Sequence, residues 1–131
     1  MSEETEEGAI ATVRYFIDAV NMAYATNDPS YFEDLATDDC GPCNAIASDI
    51  QDAVAAKQTY KDYNLSLGKI GTTGESDEGW FGVEIEVIEA AYKLEGTDGT
   101  AEQQSSSPKT FSTVFVLDFT GGTWLVRGFV V

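Results

Sequence analysis

Cys40-Gly41-Pro42-Cys43 is the run in this 131-residue chain whose residue types and spacing could do covalent chemistry. Two thiols three positions apart can exchange with a partner disulfide, supply half of a tetrahedral metal site, or close a local disulfide. They are the only cysteines of the chain. Ile46, Ile50, Ala53, Val54 and Lys57 follow them at helical spacing, so a helix is expected to run on to about Thr59. Pro42 suits its first turn. A helix start lowers the pKa of a nearby thiol, which favours the redox reading. The flank opposes it. Asp38 and Asp39 stand just before Cys40 and disfavour a thiolate, no aromatic residue precedes the pair, and a helical stretch stands where a thioredoxin would have a strand.

A metal site needs four ligands, or three and a water. The chain has no histidine and no second cysteine pair, so no metal and no cofactor are expected. The reading we favour is a local disulfide between Cys40 and Cys43, which suits an exported protein. A redox pair and a free thiol pair are the alternatives. The missing histidine also removes the usual general base and the Ser-His and Cys-His nucleophile pairs. Any catalysis would rest on Asp, Glu, Tyr, Lys or Cys.

The charge balance narrows the partners. Twenty-three acidic against seven basic residues give a net charge of −16, a field that repels phosphate and anionic lipid. Nucleic acid is therefore not an expected partner. Most of this charge reads as a solvated surface; adaptation to high salt and, third, specific binding of cations are the alternatives. At 43% apolar and 11% aromatic residues the chain can bury a core. Its length suits one domain, expected over 8–131 behind a flexible acidic lead-in, 1–7. No apolar run approaches the ~20 residues of a membrane helix, and the start lacks a signal-peptide core.

The elements that would carry these residues follow from periodicity. Ile10, Val13, Ile17, Val20 and Tyr24 recur at three- and four-residue steps and predict a helix from about Gly8 to Thr26, with Arg14, Asp18 and Asn21 off its apolar stripe. Asn27-Asp28-Pro29 ends it and opens a short helix capped by Asp28. Beyond Lys61 the pattern alternates. Tyr63, Leu65 and Leu67 mark a first strand, a polar turn spans 71–79, and Phe81, Val83, Ile85 and Val87 mark a second. The apolar phase flips at Val87-Ile88, which suggests a bulge or a change of buried face. Residues 95–108 read as a mobile hairpin loop, 110–119 as a central strand, and 124–131 as a last strand after a Gly121-Gly122 turn. Three helices followed by about four antiparallel strands make an α+β fold, with a curved sheet that could wrap a helix as a cone.

Three segments together carry a resemblance. They are Val13-Arg14-Tyr15-Phe16 through Asn21-Met22-Ala23-Tyr24-Ala25-Thr26-Asn27-Asp28, then Asp39-Cys40-Gly41-Pro42-Cys43, then Gly122-Thr123-Trp124-Leu125-Val126. The chain resembles the extracytoplasmic domain of a group of actinobacterial lipoproteins with no established function. Such domains are similar in layout to the nuclear transport factor 2-like cone, shared by ketosteroid isomerase, polyketide cyclases and many binding domains. The resemblance implies export, lipid attachment at an upstream cysteine absent from this chain, and a pocket inside the cone. It implies no reaction, because one superfold hosts many functions. Such cones often dimerise through the outer sheet face, so a homodimer is a further possibility.

The expected function is a non-catalytic binding module, with a small apolar ligand or an envelope protein as partner. Trp80, Tyr92, Phe115 and Trp124 are candidate pocket residues, together with Tyr15. Arg127 either pairs with a carboxylate or receives an anionic ligand. The isomerases use a tyrosine donor and a carboxylate base, and by that analogy Tyr15 and Asp18, three apart on the first helix, are the candidate catalytic pair. Glu84 and Glu86 on one strand face are read as solvated rather than as calcium ligands.

Overall fold

Thr5 starts the first helix two residues earlier than the apolar stripe suggests. In the computed structural model, which describes residues 4–75, 79–97, 99 and 101–129 (side chains of 101–105 excepted), helix α1 spans Glu6–Thr26. The Thr5 hydroxyl accepts a hydrogen bond from the Gly8 N–H at 3.0 Å, and Glu6 and Glu7 sit against the positive helix end. Thr5, Glu6 and Glu7 of the expected lead-in thus belong to the helix and its cap. Val13, Ile17, Val20 and Tyr24 face inward as the stripe predicts, and Phe16 joins them.

Two asparagines fix the far half of α1. Asn21 Nδ2 donates to the Leu65 carbonyl at 2.9 Å, and its Oδ1 accepts from the Leu65 N–H at 2.8 Å. One side chain thereby satisfies both backbone groups of a strand residue, as a neighbouring strand would. Asn27 caps the helix in the left-handed conformation at φ 55°, and its Nδ2 donates to the Gln58 carbonyl at 2.8 Å.

Helix α2, Ser30–Glu33, is a single turn. Asp28 accepts from the Ser30 N–H at 3.0 Å, while Pro29 takes the cap position itself rather than the first helical one. Helix α3 spans Gly41–Ala55 with Cys40 as N-cap and Pro42 in the first turn. It stops short of the expected Thr59, because Lys57 turns left-handed at φ 58° and the next residues enter a strand.

The fold is α+β and its strands pair antiparallel, but among the described residues they number seven in two sheets rather than about four in one. Strands β1 (Gln58–Lys61), β4 (Tyr92–Gly96) and β5 (Ala101–Ser105) form one sheet in the order β1-β4-β5. Strands β2 (Leu65–Glu75), β3 (Phe81–Glu89), β6 (Lys109–Thr120) and β7 (Thr123–Phe129) form the other, in the order β2-β3-β6-β7. Strand β6 is central, as its two apolar faces require. Strand β5 lies inside the expected 95–108 loop. Its Ala-Glu-Gln-Gln-Ser carries no apolar alternation, and its pairing comes from β4 alone. Strand β2 likewise runs on to Glu75, into the expected turn. The phase flip at Val87-Ile88 anticipates a passage between sheets: β3 ends at Glu89, and β4 begins at Tyr92 in the other sheet. Residues 1–3 of the expected lead-in, 76–78 of the expected turn, 98 and 100 of the expected loop, and 130–131 of the expected last strand lie outside the described residues.

Irregular register between Leu67 and Ile70, and again between Thr72 and Gly74, adds twist to the β2 edge. The opposite edge is partly covered, because Val126 bonds to the 35–37 segment through its N–H to Leu35 and its carbonyl to Thr37. The core between helices and sheet contains Phe16, Phe32, Ile50, Ile85, Phe115 and Leu117, all essentially solvent-free.

Replacing Asn21 by Ala leaves the Leu65 N–H and carbonyl without this partner. The expected loss is about 1–3 kcal/mol in urea unfolding. Arg14→Ala, on the exposed side of the same helix, should change stability by less than about 0.5 kcal/mol.

Candidate functional site

The inward stripe of α1 does not seal against the sheet. A cavity of about 270 Å³ remains between α1, the first turns of α3 and the inner sheet face. Helix α1 contributes Phe16, Ile17, Val20 and Tyr24, and α3 contributes Pro42, Ala45, Ile46 and Asp49. The register sets the sheet wall. Val87 faces Phe111 across β3 and β6, and Phe115 faces Phe129 across β6 and β7.

The cavity has two chemically different ends. At one, Phe115 and Phe129 stack with centroids 4.6 Å apart, and Phe16 meets both edge-on at 5.8 and 6.2 Å. Eight residues along α1, about 12 Å at the helical rise, Tyr24 lies against Tyr63 with centroids 3.9 Å apart. The Tyr63 hydroxyl donates a long hydrogen bond of 3.4 Å to Glu89 Oε2. Tyr60 stands edge-on to Tyr24 at 4.7 Å, and Tyr92 edge-on to Tyr63 at 5.0 Å. This tyrosine group divides the cavity from an adjoining groove lined by Tyr60, Tyr92, Asp49 and Asp52. Asp49 borders both.

Burial is the main electrostatic influence here. It pushes the Tyr24 and Tyr63 hydroxyls well above the usual tyrosine range, with Tyr60 and Asp49 adding to the effect at Tyr24, and Tyr24 and Glu89 at Tyr63. It also pushes Tyr60 up to about 12, helped by the charge on Asp49. Asp49 itself is raised by partial desolvation and then by Asp52 one turn on. At neutral pH the site therefore presents neutral hydroxyl donors beside carboxylate acceptors. No lysine or arginine is among the described residues lining the cavity.

Of the residues expected in a pocket, Phe115 alone lines this cavity. Tyr92 lies on the far side of the tyrosine group, in the groove. Trp124 is buried and packs against Phe81 and Phe119 at 5.6 and 5.2 Å. Trp80 lies under the Arg127 guanidinium, 4.4 Å from carbon to ring centroid. Arg127 also bonds Asp39 at 3.2 Å and Asp118 at 3.4 Å, so it pairs with carboxylates outside the cavity. Tyr15 and Asp18 fall away as a catalytic pair. Tyr15 is 51% exposed and Asp18 is exposed, because a helix that turns 13, 16, 17 and 20 inward turns 15 and 18 to solvent. The polar residues that do meet the cavity are Tyr24, Asp49, Tyr63, Glu89 and, between Phe111 and Phe115 on β6, the buried Thr113. A signal for Asp49 existed: it follows Pro42 and Ile46 at helical steps, on the same face of α3.

Cys40 and Cys43 form a disulfide with Cα atoms 5.3 Å apart. Both residues are buried, at 0% and 3% exposure, which denies a partner thiolate the access that exchange requires. The bond holds the start of α3, where the Cys43 N–H also donates to Cys40 Sγ at 3.3 Å, and Pro42 between them forms part of the cavity wall.

Replacing both cysteines by serine should lower stability by at most about 2 kcal/mol, the chain-entropy value for so short a loop, and leave the far-ultraviolet circular dichroism unchanged. Loss of the folded spectrum would show a larger role. Alkali probes the tyrosines. The folded state keeps protons on Tyr24, Tyr60 and Tyr63 that the unfolded chain releases near pH ~10. Their contribution is full below that pH and is lost as pH rises through about 12. Ultraviolet difference absorbance should show these tyrosines ionising only as near-ultraviolet dichroism collapses. Complete, reversible ionisation of all tyrosines with tertiary structure intact would contradict the burial.

Several solved structures share the architecture. The intermembrane space region of chloroplast protein ARC6 is 12% identical, with a TM-score of 0.69 over 98% of this chain and 97% of that one. An uncharacterised protein with a cystatin-like fold from Caulobacter vibrioides is 16% identical, with a TM-score of 0.59 over 94% and 87%. A nuclear transport factor 2-like protein of unknown function from Shewanella baltica is 11% identical, with a TM-score of 0.54 over 97% and 94%. At such identities the likeness is one of fold. No curated protein matches the chain in sequence. A family model does: the one described as "Family of unknown function (DUF6318)" matches residues 1–129, and the chain belongs to that family.

Proposed function

We propose that this protein is a non-catalytic binding domain that takes a small, largely apolar ligand between α1 and the sheet. The observation that carries the reading is the cavity itself, walled by Phe16, Val20, Val87, Phe111, Phe115 and Phe129 and bounded at one end by tyrosines and carboxylates. Ligand sites are built in this way, from an apolar wall and a few convergent polar groups. The volume, about 270 Å³, suits a small occupant. The domain works outside the cytoplasm, tethered to the membrane of a Gram-positive bacterium as the extracytoplasmic part of an actinobacterial lipoprotein. The Cys40–Cys43 disulfide supports the compartment, since such bonds persist where the surroundings are oxidising. The resemblance of the helix, cysteine and tryptophan segments to those lipoproteins supports the anchor.

Ala45 is exposed at the cavity mouth, so Ala45→Trp should close the entrance without displacing the core. In a thermal-shift screen of small apolar compounds, a ligand at about a hundred times its Kd adds about 2.7 kcal/mol and raises the Tm by several degrees. Hits are expected with the native protein and not with Ala45→Trp. An empty screen, or identical hits in both proteins, would replace the pocket with a role for the outer surface.

A further inference from the structure

The two ends of the cavity specify the ligand beyond its size. The geometry points to a small amphiphilic amine, its apolar body against Phe16, Phe115 and Phe129 and its protonated nitrogen at the Tyr24–Tyr63 end, between Asp49 and Glu89. This inference rests on the pocket reading above and deepens it.

Charge is the first argument. Both ionisable side chains lining the cavity, apart from the tyrosines, are acids, and they come from different elements: Asp49 from α3 and Glu89 from the end of β3. Asp52, one turn beyond Asp49, adds a third carboxylate on the groove side. Both acids address the same tyrosine pair. Glu89 does so through the Tyr63 hydroxyl, and Asp49 through the charge it directs at Tyr24. The nearest base in the sheet register is Lys109, opposite Glu89. It is exposed and does not come within ion-pair distance of that carboxylate. A carboxylate or phosphate head placed here would face like charge on two sides, inside a protein whose net charge is −16.

Hydrogen bonding and shape are the second argument. Ionised carboxylates accept and cannot donate, and an ammonium group offers three donors and no acceptor. Among the described residues Glu89 receives only the long Tyr63 bond, which leaves acceptor capacity at the cavity wall. Asp49 is exposed where it borders the cavity and forms no ion pair among the described residues, and an incoming ammonium supplies the missing cation. The tyrosine rings add faces that attract a cation. The spacing of about 12 Å between Phe16 and Tyr24 along α1 limits the ligand to a ring or short chain plus its head group.

The test compares phenethylamine, phenethyl alcohol and phenylacetate, three heads on one aromatic body, titrated into the native chain and into Asp49→Asn/Glu89→Gln while amide chemical shifts are followed. The amine is expected to bind at least about tenfold more tightly than phenylacetate, with shifts at Tyr24, Asp49, Tyr63 and Glu89. In the double variant the amine should weaken to about the affinity of the alcohol, with the alcohol itself unchanged. Should that variant not fold, the single variants Asp49→Asn and Glu89→Gln decide, each expected to weaken the amine and leave the alcohol unchanged; an amine affinity that neither single variant lowers overturns the inference. Equal binding of all three would keep the pocket and overturn the amine inference. An amine preference that survives both substitutions would reflect the general acidic surface and overturn it as well. If no probe binds, this inference falls, and native chain and Ala45→Trp giving the same empty screen would bring the pocket reading down with it.

Discussion

The site depends on one side chain that behaves as a piece of strand. Asn21 is polar on a helix that otherwise packs through apolar residues, and it satisfies both backbone groups of Leu65. Apolar packing alone is non-directional and would let α1 slide or roll on the sheet at little cost. Two hydrogen bonds to one peptide position do not allow it. Tyr24 is three residues beyond Asn21 on the same side of α1, and Tyr63 is two residues before Leu65 on the same side of the chain. Fixing Asn21 to Leu65 therefore brings the two rings to their 3.9 Å contact. The polar end of the cavity follows from that contact, and the phenylalanine end follows from counting back along a rigid helix to Phe16.

Much of this was legible in the sequence, for a definite reason. Burial on one side imposes a period. The stripe from Val13 to Tyr24 marked α1, and the alternations from Phe81 to Val87 and from Phe111 to Phe119 marked β3 and β6. Short or weakly apolar elements left too little period to read. Strand β1 is four residues long and directly follows a helix, and β5 carries Ala101 as its single apolar residue. The site was less legible than the fold. Asn21 lay off the apolar stripe and carried no signal of its role, although its amide bonds a residue 44 positions away. Large aromatic residues attracted attention as pocket candidates, yet Trp124 fills core space and Trp80 supports Arg127. An aromatic lines a cavity only where the opposite element leaves room, and that is a property of helix placement rather than of residue type.

The cysteine pair and the asparagines divide the task of holding the cavity walls. The disulfide acts on α3 alone, by restricting a short local loop, and its entropic effect is correspondingly small. It keeps Pro42 at one side of the cavity whether or not the sheet is in place. The asparagine bonds act between elements and exist only once helix and strand have met. A wall that is held locally and a wall that is held by tertiary contacts respond differently to stress: the first follows redox conditions, the second follows global stability.

Asn27 shows what the arrangement costs. The end of α1 needs a left-handed residue, which glycine supplies with least strain. Glycine has no side chain to reach the Gln58 carbonyl, and that bond docks the start of β1 against the helix. Asparagine meets both needs, but its Oδ1 is buried without a hydrogen-bond partner among the described residues, a penalty of order 1–3 kcal/mol. The penalty is tolerable only if docking β1 matters more than the lost bond. Strand β1 carries Tyr60, and Tyr60 stands edge-on to Tyr24 at 4.7 Å, closing the tyrosine group from the groove side. Without β1 in place the polar end of the cavity would open more widely into that groove, which Asp49 already borders as an exposed carboxylate. The unpaired oxygen is thus the cost of holding Tyr60 against Tyr24, and with it the wall of tyrosine rings beside Asp49 and Glu89.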